Sequence, residues 1–122
     1  MKFKNIEEFN AAVGKLPTED DIIEEDGIKW LRQNYAINRM NEIFGEGNWN
    51  IENIRKSEPK NEQGHSFGNT CSLSVTYKHP VTGHLLARVG VSETEGEINN
   101  NIIGKAFLNA ISSIGGTFGR FL

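Results

Sequence analysis

Residues 50–90 carry five cations, Arg55, Lys56, Lys60, Lys78 and Arg88, against three Glu. Cations at this density neutralise phosphates and release condensed counterions, which gives affinity for nucleic acid without base readout. Five such contacts would give a salt slope of roughly −3.5 on single strands. Downstream, Lys105 and Asn109 are four residues apart and would share one helix face, adding a cation and an amide donor. Arg120 stands near the chain end. Other chemistries fit less well. His79 and His84 flank one turn, but neither His65 nor any other residue supplies a third ligand at metal-site spacing, so no metal is expected. Cys71 has no catalytic neighbour. The acidic residues from Glu19 to Asp26 lack a calcium-loop order, and Gly115-Gly116-Thr117-Phe118-Gly119 lacks the Gly-Lys-Ser/Thr of a phosphate loop. No nucleophile stands beside a base. The expectation is a binding protein without cofactor, not an enzyme.

The elements that would position these groups follow from periodicity. Phe3, Ile6, Phe9, Val13 and Leu16 predict a short amphipathic helix ending near Gly14 and Pro17. Residues 18–27 read as a solvated acidic linker. A second helix is expected over Ile28–Phe44, on the stripe of Trp30, Leu31, Tyr35, Ile37, Met40, Ile43 and Phe44, with Gly45 at its C-terminal end. Trp49–Ser57 reads as a strand and Pro59–Gly68 as a polar hairpin tip. Asn69–His79 alternates strictly, with Cys71, Leu73, Val75 and Tyr77 on one face and Thr70, Ser72, Ser74, Thr76 and Lys78 on the other. His84–Val91 puts Leu85, Ala87, Val89 and Val91 on one face and Leu86 and Arg88 on the other. Thr94-Glu95-Gly96-Glu97 fits a capping box. A long helix then runs from Ile98, with Ile102, Ile103, Ala106, Phe107, Ala110, Ile111, Ile114 and Phe118 as its stripe and Asn101, Lys105, Asn109 and Ser112 opposite. The fold class is therefore α+β: N-terminal helices, a three-stranded antiparallel meander and a long C-terminal helix packed across it, a β-β-β-α core.

At 122 residues and 37% hydrophobic content, one domain is expected over residues 1–122. It divides into an N-terminal helix and acidic linker (1–27) and a core (28–122). So small a core gains from self-association, and the Phe3–Leu16 stripe is expected to pack on a neighbouring copy. A single Cys, no signal-like start and no run of ~20 apolar residues point to a reducing, cytoplasmic compartment and no membrane. The net charge of −3 is unevenly spread. Residues 1–30 hold four Lys and eight Asp/Glu, and the remainder is close to neutral.

Two blocks carry a resemblance. Asn38 to Trp49, NRMNEIFGEGNW, matches a helix ending in Asn-Glu, a hydrophobic residue and Phe-Gly, with a Trp four residues on that opens a strand. Gly90-Val91-Ser92-Glu93, followed by Lys105-Ala106-Phe107-Leu108-Asn109-Ala110-Ile111-Ser112-Ser113-Ile114-Gly115, matches a helix with a mid-way alanine and a closing glycine. Together they resemble the core of the single-strand DNA annealing proteins of the Rad Fifty-Two superfamily, including phage proteins of the Sak type, over about three-quarters of the chain.

The resemblance implies sequence-independent binding of single-stranded DNA and annealing of complementary strands in homologous recombination and repair. It implies no ATP or metal, a homo-oligomeric ring or filament, and a bacterial or phage setting with a single-strand binding protein or exonuclease as a possible partner. The candidate DNA-binding set, drawn from the cations in and beside the sheet and the polar face of the last helix, is Arg55, Lys56, Lys78, Arg88, Lys105 and Asn109, with the C-terminal helix as the groove floor. Where eukaryotic members carry an adjacent Lys-Arg pair, this chain has Leu108 and Asn109. A further basic position reads Ser112, and one on the earlier helix falls on Tyr35. The alternative expectation is an interaction module of the same fold that has lost the groove.

Overall fold

The computed structural model describes residues 2–64, 68–94 and 100–122, the side chain of Asn100 excepted. Its elements run α1 (Ile6–Gly14), β1 (Ile22–Glu25), β2 (Ile28–Leu31), α2 (Gln33–Phe44), β3 (Trp49–Ser57), β4 (Asn69–Lys78), β5 (Leu85–Thr94) and α3 (Asn100–Ser112). Single 3-10 turns lie at Glu19–Asp21 and Gly116–Phe118. The class is α+β, with an antiparallel sheet ordered β3-β4-β5 and a separate β1-β2 pair. Among the described residues no helix is long and apolar enough to cross a membrane.

β4 is the middle strand and behaves as its alternation predicts. Cys71, Leu73, Val75 and Tyr77 are buried, while Thr70, Ser72, Ser74 and Thr76 are only partly covered. The buried row faces α2 and α3: Phe44 packs on Tyr77 (ring centroids 4.7 Å apart), and Ile102, Ala106, Ala110 and Ile111 of α3 are buried in the same cluster. Trp49 stacks on Phe107 and donates its indole N–H to Asn41 Oδ1 at 2.7 Å, so the strand start is tied to both helices.

On β5 the aliphatic row turns outward. Residues directly opposite in a ladder share a face. Tyr77, Val75, Leu73 and Cys71 stand opposite Leu86, Arg88, Gly90 and Ser92. The aliphatic row Leu85, Ala87, Val89 and Val91 therefore points away from the helices, and Leu85, Val89 and Val91 are 82%, 69% and 50% exposed. The cause is close approach. A β-carbon at Gly90 would overlap the Ala106 carbonyl oxygen and lie 2.8 Å from the Ala110 β-carbon. Only small side chains fit where α3 crosses, and the buried Ser92 hydroxyl is satisfied by donating to the Ile102 carbonyl.

Two expectations along the N-terminal third are corrected. Residues 22–31 are neither linker nor helix start but a β-hairpin, in register Ile22↔Leu31 to Glu25↔Ile28. Asp26 and Gly27 turn it with φ of 51° and 79°, the both-positive pair of a type I′ turn. The α1 stripe serves this chain's own core. Asn5 caps the helix by accepting from the Glu8 N–H, Phe9 and Val13 are buried, and Phe9 lies 4.3 Å from the His79 ring and 6.0 Å from Phe44. Leu16 and Ile6 stay exposed.

The predicted C-terminal helix is shorter than its stripe. α3 ends at Ser112, and Phe118 reaches the core from the following 3-10 turn. Thr94 belongs to β5, while Glu95, Gly96, Glu97 and Ile98 lie outside the described residues, as does His65. Arg39, unremarked in the sequence, is buried. Its guanidinium donates to Thr117 Oγ1 (2.9 Å), the Ala12 carbonyl (2.8 Å) and Glu42 Oε2 (3.1 Å). Tyr35 donates to the Thr117 carbonyl at 3.0 Å. Arg39 thereby ties α2 both to α1 and to the terminal turn.

Candidate nucleic-acid interface

The β1-β2 hairpin stands beside the polar face of α3, and the space between them is a groove. Strand alternation sends Glu25, Ile28 and Trp30 to one side of the hairpin, and that side faces α3. One cavity of about 490 Å³ is lined by Glu25, Asp26, Ile28 and Trp30 from the hairpin, Val91, Ser92 and Glu93 from β5, and Lys105 and Asn109 from α3. A second, about 290 Å³, shares Ile28, Trp30 and Asn109 and adds Lys29, Ser112 and Arg120 among its walls. The shared residues set the two cavities side by side along α3, a channel in two parts with Asn109 and Trp30 at their common wall.

Charge is graded along this channel. One end holds Glu25, Asp26 and Glu93 around Lys105; the other has no acid among its lining residues and holds Arg120, with Lys29 at its margin on the hairpin face it shares with Glu24. Lys105 Nζ lies 3.2 Å from Glu25 Oε2 and 5.2 Å from the centre of the Trp30 ring, an ion pair and a cation–π contact on one ammonium. Asn109 donates to the Val91 carbonyl at 2.7 Å. Its amide therefore caps part of the β5 edge as well as lining the channel.

The six sequence-selected residues fall in three places. Lys105 and Asn109 meet in the channel. Arg55 stands opposite Ser72, and Lys78 opposite Leu85, both on the outer sheet face and at opposite ends of β4. Lys56 and Arg88 stand opposite Cys71 and Val75, on the helix-side face of the two outer strands. The structure thus unites two of the six and adds Lys29, Trp30 and Arg120 to them. Lys29 and Trp30 were hidden in a presumed helix; the Asp26-Gly27 pair was the signal that would have exposed them.

The remaining chemistry is structural. Among the described residues no three His, Cys, Asp or Glu side chains gather as a metal site. His79 Nδ1 accepts the N–H groups of Val81 and Thr82 at 3.1 and 3.2 Å, closing the β4-β5 turn. Burial, and then the nearby His84, hold this imidazole below its ordinary range. Burial pushes the Cys71 thiol up, against the opposing pull of Lys56, so it stays a protonated core group.

No family model matches the chain. Comparison with curated proteins yields no relative either.

Proposed function

We propose that this chain binds single-stranded DNA without sequence preference and anneals complementary strands, with the backbone running in the channel between the β1-β2 hairpin and α3. The observation that carries this reading is the channel itself: Lys105 and Arg120 line it with the amide of Asn109 and the Trp30 ring. Cations and the Asn109 amide engage phosphates without reading bases, and the indole holds the Lys105 ammonium in place. The chain order of α2, three antiparallel strands and α3 supports the reading. The pathway is then ATP-independent recombination and repair in a bacterial cytoplasm.

Assembly into an oligomer is part of the proposal. β5 is an edge strand with exposed Leu85, Val89 and Val91 and an unbroken register over ten residues. The opposite edge, β3, carries a register shift between Glu52 and Arg55, a positive φ at Asn53 and charged side chains. Proteins protect free edges with such bulges and charges; β5 has no register shift and only Arg88 and Glu93 as charges, which fits an edge that meets another copy.

Fluorescence anisotropy with a labelled 30-nucleotide oligo-dT, together with an annealing assay, tests the reading. Binding at 50 mM salt and faster annealing are expected; absence of both would sink it. The acid-lined end of the channel favours a second reading, an interaction module of this fold without DNA. A large assembly in sedimentation that ignores oligonucleotide would establish that one.

A further inference from the structure

We propose that Glu25 is a built-in competitor for the phosphate site at Lys105, an inference that rests on the annealing reading above. An ammonium in a DNA groove should be free to meet a phosphate. Lys105 is engaged instead, with Glu25 Oε2 at 3.2 Å and the Trp30 ring beneath it. The carboxylate is not there by chance of a long loop. It is the last residue of β1, paired with Ile28, and the both-positive Asp26-Gly27 turn fixes the hairpin that presents it. Its neighbour Glu24, paired with Lys29, points to the opposite hairpin face by strand alternation. The chain therefore aims one of two adjacent carboxylates at its groove.

The contact is of a kind that a strand can displace. Lys105 and Glu25 are 31% and 43% exposed at their side chains, so the pair is weak and screened by salt. A phosphate entering the channel takes the ammonium and releases the carboxylate to water. The indole contact persists through the exchange and keeps Lys105 in position. The consequence is a groove whose grip is deliberately moderate at one end. Moderate grip suits annealing, where a bound strand must later leave as duplex.

Anisotropy with the oligo-dT probe over 20–300 mM KCl tests this on the full chain. Glu25→Gln should bind roughly fivefold tighter at low salt, the equilibrium weight of one exposed ion pair. Its salt slope should stay close to that of the unaltered chain, because Lys105 meets a phosphate in both complexes. Glu24→Gln removes the same charge from the other face and should change affinity less than twofold. Adding Lys105→Gln to Glu25→Gln should abolish the gain. Wild type that binds while Glu25→Gln binds no tighter overturns the competitor and leaves the annealing reading standing. An equal gain from Glu24→Gln, or one that survives the loss of Lys105, overturns it too. Binding by Glu25→Gln alone would support it in its strongest form. Binding by neither protein would remove the annealing reading and the competitor with it.

Discussion

The two faces of the β3-β4-β5 meander differ in what decides their side chains. On the helix side, volume decides. Gly90 and Ser92 lie where α3 crosses, and the larger residues of β4 fill the space beside it. On the outer face no described element covers the strands, and hydroxyls of β4 stand beside the aliphatics of β5. An aliphatic row on an edge strand is therefore no sign of core. The tight face of this sheet holds small residues because a backbone approaches it, and the larger aliphatics are left outside.

The comparison is broken most severely at Gly90. Gly90→Ala should cost about 3 kcal/mol by forcing α3 off β5, whereas Ser74→Val on the outer face should stay within about 0.5 kcal/mol; urea denaturation of both variants measures the contrast. Next comes the tie on the helix side. Thr117→Val keeps the volume but takes the hydroxyl acceptor from the buried Arg39 guanidinium, and should cost about 2 kcal/mol. Equal losses at Ser74 and Gly90 would erase the distinction between the faces.

A smaller effect is expected at the sheet's end, where His79 is held neutral. Its folded pKa is depressed, so between that value and the unfolded value of about 6.5 the unfolded chain binds more protons. The contribution is thus complete above about pH 6.5 and is lost as pH falls toward the folded value. Unfolding midpoints measured from pH 7.5 to 5 should decline, and His79→Gln should flatten the part of the decline that His79 causes.

Much of this architecture was legible in the sequence, and the misses share a cause. Strict alternation named the inner row of β4, and the three-four spacing of Phe9 and Val13 named α1. The hairpin was missed because Trp30 and Leu31 continue, at spacings of four and five, into Tyr35 and the α2 stripe, so one helix seemed to absorb them. Asp26-Gly27 was the competing signal, masked by its acidic surroundings. Which face of β5 turns inward was not legible, because periodicity weighs hydrophobicity and cannot see the helix backbone that excludes bulk at Gly90. The candidate groove suffered most: Lys105 and Asn109 were legible as one helix face, but their partners Trp30 and Glu25 come from a hairpin that pattern alone dissolved.

The central claim is that nucleic acid follows the hairpin–α3 channel and not the open sheet. The salt dependence of oligo-dT affinity tests it most directly, comparing Lys105→Gln/Arg120→Gln with Arg55→Gln/Lys78→Gln. Two channel cations predict a slope of about −1.4 for the unaltered chain. The channel pair should remove most of it, and the outer pair should leave it unchanged. A slope that collapses with Arg55 and Lys78 and survives the loss of Lys105 and Arg120 would contradict the account.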